Sequence, residues 1–404
     1  MQLRDFKARK VTDDVMWVGA IDWDRRIFDE LIPLPDGTSY NSYLIRGSKH
    51  TALIDTVDPA KTEVMLSRIK STGIEKIDYI IANHAEQDHS GSIPIVIEQH
   101  KEAKVVVTEK CKGMLCDLLH IDAERMLVVK DGDTIDLGGL TLQFIHFPWV
   151  HWPETMLTWL PERAVLFSCD LFGSHLATGD LFADSQADVL LGAKRYYAEI
   201  MMPFRSNINK QLAKINDLEI SYIAPSHGPI FNIPNFITDA YLDWVSSPPR
   251  NLVVVPYISM HDSTRQMVEY FVDGMARRGI CTEQINLGDG DIGKLAMLLV
   301  DAATVVVGSP MVLMGAHPKV VYAAYLLNIL RPKLLHLSIL GSFGWGGKLV
   351  EQLLGVMPNI KAEVLPPVLC KGAPKADDFA AIDALVAAIS ERHAALSNKL
   401  TRKS

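Results

Sequence analysis

The 404-residue sequence predicts an α/β protein built of two successive domains. Three observations point there. Through the first 245 or so residues, short β-like runs alternate with helical stretches. After Ser247-Pro248-Pro249 the rhythm changes to buried strand, Gly- or Ser-rich loop, helix. A hydrophobic content of 48% is enough to fill two cores. The expected domains are residues 1–247 and 251–397.

In the first domain, Thr51–Asp55, Ile77–Asn83, Lys104–Thr108, Leu140–Phe147, Ala164–Ser168 and Ile220–Ala224 read as strands, being rich in β-branched and aromatic residues. Asp131-Gly132 and Gly138-Gly139 mark tight turns among them. In the second, Asn251–Tyr257, Ala303–Gly308 and Lys333–Leu340 are near-continuous apolar runs, the pattern of parallel strands covered on both faces. That is a doubly wound sheet. No internal repeat is visible, and the last ten residues read as a loose basic tail.

Forty Lys and Arg against 48 Asp and Glu leave a net charge of −8, which argues against nucleic acid and anionic membranes as partners. The start of the chain runs into acidic residues rather than a secretory apolar core, and the most apolar stretch, Leu298–Ala316, is broken by Asp301, Gly308 and Pro310. A cytoplasmic protein is expected. The five cysteines are odd in number and form no C-x-x-C pair, so neither a disulfide framework nor a thiolate metal site is expected.

Histidines and carboxylates supply the alternative. Strand Ile77–Asn83 runs into His84-Ala85-Glu86-Gln87-Asp88-His89, four potential ligands within six residues. A lone His is most often a satisfied structural residue, but this density reverses the odds, and a sharp loop can turn His84 and Glu86 toward one ion and Asp88 and His89 toward a neighbour. Further donors follow later apolar strands: His151, Asp170 and His227. His50, His100, His120, His146, His317, His336 and His393 lack such context, and His175 reads equally well as a neighbour of the site or a structural residue.

This order of loop cluster, His, Asp and His resembles the metallo-β-lactamase superfamily, which implies an αββα sandwich with ligands collected at one edge. Hydrolases of that superfamily usually carry His where Glu86 stands. A carboxylate there makes the site harder and more anionic, favouring iron over zinc, especially with Asp170 as a bridge. His84, Glu86 and His151 would hold one iron, and Asp88, His89 and His227 the other.

In the second domain the first strand is followed by Ser259-Met260-His261-Asp262-Ser263-Thr264 and a helix beginning near Arg265, a phosphate-sized anion cradle. Alone it reads as an ordinary N-cap. Two more loops strengthen it: Gly308-Ser309-Pro310, running on through Met311 to Gly315, and Ser342-Phe343-Gly344-Trp345-Gly346-Gly347, where glycines admit a flat ring and an aromatic can stack on it. The domain resembles flavodoxin, which implies FMN. No dinucleotide fingerprint or Walker motif competes. Met311-Val312-Leu313-Met314 replaces the Thr and Asn common in such loops, leaving fewer polar contacts to the ring.

Together the halves resemble the flavodiiron proteins, or A-type flavoproteins, and Asp22-Trp23, Thr38–Leu44 and Tyr196-Tyr197 match similar family strings. The resemblance implies an oxidoreductase in which FMN passes electrons to a non-haem diiron site that reduces dioxygen to water, nitric oxide to nitrous oxide, or both. It implies a head-to-tail homodimer or a dimer of dimers. The short, proline-stiffened Ser246–Arg250 linker, reaching about 3.3–3.6 Å per residue, also argues against one chain folding its flavin face over its own metals. With no rubredoxin-like tail, the donor would be a separate rubredoxin, a reduced deazaflavin or an NADH-linked reductase. Tyr197, or alternatively Tyr196, would hydrogen-bond the substrate. Asp29 stands where many members have a His in the distal pocket, and Glu30–Gly37 alters the pocket rim. The rival readings are a zinc-dependent hydrolase with a flavin-binding regulatory domain, and a flavin carrier with a vestigial metal site.

Overall fold

Residues 5–183, 187–246 and 248–397 are described by the computed structural model of the chain. Part of the expected linker, Ser247, and most of the basic tail lie outside them. The chain divides into two compact units, Met1–Val245 and Ser246–Ser404.

In the first unit a seven-stranded sheet runs Arg9–Lys10, Val15–Trp17, Tyr43–Arg46, Thr51–Ile54, Tyr79–Ile81, Lys104–Val107, Met126–Val128. Its first four strands are antiparallel and the rest join in parallel. A five-stranded sheet, Thr134–Asp136, Thr141–His146, Met156–Leu160, Val165–Cys169, Tyr222–Pro225, faces it. Alternation along the strands sends Tyr43, Ile54 and Val106 from one sheet and Phe144, Met156 and Phe167 from the other into a shared core. The opposite side chains of the first sheet bury Met65, Ile69, Val96 and Leu115 of the helices Thr62–Ser71, Ile93–Gln99 and Glu109–Leu119. With helices Ala187–Tyr196, Arg205–Gln211 and Pro234–Ser246, this is an αββα sandwich.

The sheets position the site by where their strands end. Val165–Cys169 and Tyr222–Pro225 pair in parallel, so Asp170 and His227 emerge at one edge. Tyr79–Ile81 leads into the turn that carries His84 and Glu86, and Asp88 and His89 follow on the short helix Gln87–Ser90 rather than on the loop expected there. Backbone strain gathers beside the ligands: Asp55, Trp149 and Cys169 have φ of 52°, 65° and 51°, a region non-glycine residues avoid.

The second unit is a parallel sheet in the order Cys281–Asn286, Arg250–Tyr257, Ala302–Val312, His336–Phe343, with Glu363–Val364 and Val368–Lys371 on the last strand. That is the 2-1-3-4-5 order of a flavodoxin-like fold. Helices Ser263–Ala276 and Ala376–Ser397 cover one face through Met267, Phe271, Ile382 and Val386. Two expectations change here. Gly308, Ser309, Pro310 and Met311 are not a loop: the strand continues to Val312 because Gly308–Pro310 pairs with Leu340–Ser342. Ser342 and Phe343 likewise close a strand, while the helix after the first strand starts at Ser263, close to the expected Arg265. Among the described residues no helix is long and apolar enough to cross a membrane.

Candidate metal centre

The structure brings His84, Glu86, His151 and Asp170 into one group of ligand atoms and Asp88, His89 and His227 into another. Asp170 divides its carboxylate between them. Its Oδ2 lies 3.4 Å from Nε2 of both His84 and His151, and its Oδ1 lies 3.0 Å from His89 Nε2 and 3.4 Å from His227 Nε2. Glu86 Oε2 completes the first group at 3.0 Å from His84 and 3.2 Å from His151. Asp88 completes the second, its two oxygens 3.3 Å from His89 and 3.2 Å from His227.

These spacings fit metal ligation. Two donors each about 2.1 Å from one ion lie about 3.0 Å apart along an octahedral edge and about 3.4 Å along a tetrahedral one. Both oxygens of Asp170 and of Asp88, and both ring nitrogens of His89, are buried without a hydrogen bond of sound geometry among the described residues, so these close pairs face common points rather than each other. Three carboxylates among four imidazoles make a hard donor set suited to iron.

Without cations the ligands neutralise one another. Burial opposes charge on His89, but Asp88 and Asp170 overcome it and raise its pKa to about 10. Burial is likewise outweighed at His84, where hydrogen bonds to Glu154 and Glu86 hold the pKa well above the ordinary value. Asp170 is buried too, yet His89 and His151 keep it far below the usual carboxylate range. A metal entering here displaces protons.

Sequence reasoning left Glu154 without a role. Its Oε1 accepts from His84 Nδ1 at 2.6 Å and from the Ala85 N–H at 3.0 Å, the carboxylate–histidine pairing that fixes a metal ligand's tautomer. Its position three residues after His151 was the available signal. His175, left open by the sequence, belongs to the site wall. It is 2% exposed, its Nδ1 is 2.9 Å from Thr38 Oγ1, and its ring centroid is 4.8 Å from those of both His227 and Tyr196. Burial, then His227, keep it neutral.

The tyrosine expectation is corrected. Tyr197 turns away: its hydroxyl donates to Trp244 O at 3.4 Å and its ring packs on Tyr241 and Trp244. Consecutive helical side chains point about 100° apart, so Tyr196, the last residue of Ala187–Tyr196, faces the metal ligands instead, 5.7 Å from the His227 ring. Burial, then Asp170, push its pKa well up, so its hydroxyl stays protonated. Asp29 lines a cleft of about 360 Å³ with Arg25, Phe28, Glu86, Asp88 and Trp152. Burial first, then Glu86 and Asp88, raise its pKa.

In the second unit, Ser259, Met260, His261, Asp262, Ser263 and Thr264 follow the first strand and lead into helix Ser263–Ala276. Asp262, at φ 65°, makes no side-chain capping bond; at this helix N-terminus the Arg265 N–H donates to Ser259 Oγ at 3.2 Å and the Ser263 N–H to His261 O at 2.9 Å. Thr264 Oγ1 lies 2.8 Å from Ser342 Oγ, tying the start of helix Ser263–Ala276 to the end of strand His336–Phe343. Ser309 is used structurally, donating to Pro310 O and accepting from the His317 N–H. A Cβ on Gly347 would meet Met311 Sδ and Met314 O at 2.5 Å, whereas Gly344 and Gly346 border open space. Gly315 packs on Gln352. Met260, Leu313, Met314 and Trp345 expose 52%, 91%, 64% and 69% of their surface, apolar material for a flat ring or a covering surface.

Residues 38–228 match the model of the ODP family beta lactamase. The chain is 36% identical to a nitric oxide reductase of Moorella thermoacetica over 91% of its own length and 94% of that protein's. It is 33% identical to a type A flavoprotein of Rhodobacter capsulatus, over 89% and 85%. Among solved structures, the rubredoxin oxygen:oxidoreductase of Desulfovibrio gigas superposes with TM-score 0.92 at 29% identity, covering 98% of this chain and 100% of that one. The flavodiiron protein of Giardia intestinalis gives 0.89 at 29% identity, covering 97% and 98%.

Proposed function

The chain belongs to the flavodiiron proteins, the type A flavoproteins, and on that premise we propose that it reduces dioxygen to water, nitric oxide to nitrous oxide, or both. It is an oxidoreductase with FMN and a non-haem iron pair as cofactors. The observation that carries the reading is the split carboxylate of Asp170, one oxygen toward His84 and His151 and the other toward His89 and His227. The hydrolase alternative is not favoured, since the relatives match across both units.

His84, Glu86 and His151 would hold one iron, Asp88, His89 and His227 the other, and Asp170 both. In the second unit the 259–264 loop would take the FMN phosphate, with Ser309–Met311, Gly315 and Ser342–Gly347 bordering the ring. When bound, these groups supply the redox chemistry: four electrons and four protons turn one dioxygen into two waters, and two of each turn two nitric oxides into nitrous oxide and water.

The chain's own residues bind, orient and protonate. Phe28, Leu118 and Trp152 give the cleft an apolar wall that limits water beside Glu86 and Asp88. Tyr196 keeps its hydroxyl proton and donates a hydrogen bond toward the substrate. Asp29, its pKa raised, holds or passes a proton at the cleft wall while Arg25 offsets the carboxylates around it.

The reaction draws electrons from a redox partner. A separate rubredoxin, a reduced deazaflavin or an NADH-linked reductase fills that role, the first supported by the name of the Desulfovibrio gigas protein. The working unit is a head-to-tail homodimer, alone or as a dimer of dimers, with the FMN of one chain facing the irons of the other. The exposed Met260, Leu313, Met314 and Trp345 support a covered flavin face. A cytoplasmic setting suits the five free cysteines.

Turnover of the protein, photoreduced anaerobically and then mixed with dioxygen or with nitric oxide after metal analysis by mass spectrometry, tests the function. Two irons and one FMN per chain with rapid flavin reoxidation are expected. Two zinc ions in protein made with ample iron, and a flavin that neither gas reoxidises, would overturn it.

A further inference from the structure

The loop that presents His227 is held by one short stretch of chain, residues 39–43, and Asn41 is its centre. Asn41 is 2% exposed, and its Nδ2 donates to Pro225 O at 2.8 Å and to Gly228 O at 2.7 Å, one carbonyl on each side of the ligand. Its backbone N–H donates to Ser226 O at 2.8 Å. Tyr43 adds a second bond to Pro225 O, the Gly228 N–H donates to Ser39 Oγ, and His227 Nδ1 donates to Ser39 O at 2.7 Å. Gly228 is required at this clamp: at φ 78°, its Cβ would fall 2.0 Å from Ser174 Oγ.

Asn41 is itself oriented. Trp17, 3% exposed, donates its Nε1–H to Asn41 Oδ1 at 2.9 Å. An indole N–H can only donate and a carbonyl can only accept, so these three contacts fix which end of the amide faces which partner. The Trp17 ring is in turn stacked by the Arg68 guanidinium at 4.6 Å and the Arg9 guanidinium at 5.7 Å. A chain of contacts therefore runs from two arginines through Trp17 and Asn41 to the backbone on either side of one metal ligand.

Glu154 serves the first ligand group by touching His84 directly, whereas His89 Nδ1 in the second group has no hydrogen-bond partner among the described residues. His227 is thus the second group's imidazole with a fixed ring, and its fixing depends on the 39–43 stretch. We infer that Asn41, oriented by Trp17, is a positioning residue for the Asp88–His89–His227 iron, setting the affinity of that subsite separately from the other.

The inference rests on the two-iron reading, and its test separates the two. Anaerobic iron(II) is titrated into the metal-free full-length protein, with Mössbauer spectra of the two irons and FMN content recorded in parallel. The variants are Asn41→Asp, which keeps shape and the acceptor for Trp17 but removes both donors, Asn41→Ala, and Trp17→Phe. Wild type should bind two irons. The Asn41 variants should bind the first normally and the second about 10- to 100-fold more weakly, the scale of outer-sphere losses at metal sites. Trp17→Phe should give a smaller loss in the same subsite, and FMN should stay at one per chain. Failure of wild type to bind two irons sinks the two-iron reading. Two tight irons in the variants, or equal weakening of both irons with a lowered melting temperature, overturns the role of Asn41. If neither Asn41 variant folds, Trp17→Phe decides on the same criteria.

Discussion

Replacing Glu154 by Gln tests whether the first ligand group is tuned by charge or only by shape. Glu154 is 2% exposed and accepts from His84 Nδ1 at 2.6 Å and from Ala85 N–H at 3.0 Å. Gln keeps an acceptor oxygen in the same place but removes the negative charge. A buried hydrogen bond to a charged group contributes about 1.5–3 kcal/mol and a neutral one about 0.5–1.5, so the exchange costs about 1–1.5 kcal/mol. That is about a 5- to 10-fold weaker first-group iron. Glu154→Ala removes the acceptor altogether and should weaken the same iron by up to about 100-fold. Chelator competition under anaerobic conditions measures both, and the second-group iron serves as internal control. Equal effects of Gln and Ala, or a loss confined to the second iron, would refute the assignment of Glu154 to His84.

Tyr196→Phe should lower turnover by about 10- to 100-fold with irons and FMN retained, the effect of losing one hydrogen bond to a charged group, while Tyr197→Phe should leave turnover near wild type and lower stability by about 0.5–1.5 kcal/mol; steady-state rates and thermal melts separate them. Asp29→His should change the ratio of nitric oxide to dioxygen activity, because it replaces a protonatable acid at the cleft wall with a group that is neutral or cationic near neutral pH; an unchanged ratio places Asp29 outside the substrate's reach. The melting temperature gained on iron loading should grow with pH. The raised pKa of His89, about 10 against an ordinary 6.5, stabilises the metal-free chain fully below pH 6.5 and progressively less as pH rises toward 10, whereas iron needs the unprotonated ring. Melts of both forms from pH ~6.5 to ~9 check it, and a gain that shrinks with pH is the contrary result.

The residues that cluster as potential metal ligands stood out in the sequence because each follows a strongly apolar strand, and a strand end is where a β-rich sandwich exposes side chains that the core cannot take. The flavodoxin-like rhythm was legible for a similar reason: Arg250–Tyr257, Ala302–Val312 and His336–Phe343 are buried on both faces and so read as continuous apolar runs. The short strands Val15–Trp17 and Tyr43–Arg46 carry no such run, and Met156–Leu160 is interrupted by Thr158, whose hydroxyl finds Asn83 Oδ1 at 2.8 Å. Backbone pairing carried the Gly308–Met311 segment on as strand against its loop-like composition. Tyr196 and Tyr197 were indistinguishable because adjacency in sequence carries no rotational phase until the helix before them is fixed. Glu154 and Asn41 act across 70 and 187 residues, on His84 and Gly228, and no local pattern reports such pairings.

The electrostatics of the centre tie its function to its fold. Three carboxylates and four imidazoles meet where all but Glu86 and His151 are almost fully buried, and carboxylates removed from water are costly unless a partner stays with them. Protons on His84 and His89 are that partner when no cation is bound, and two divalent ions held there would take over that role and displace those protons. The exchange needs a frame that does not collapse between the two states. Glu154 on His84, Ser39 on His227 and Asn41 on both flanks of His227 supply it, each bond reaching the ring edge or backbone away from the metal-facing nitrogen. Because these supports come from separate segments, residues 154 and 39–41, substitution at one should unbalance the two irons rather than empty the centre. Unequal iron affinities, more than total iron, are therefore the measure on which the supports can be told apart.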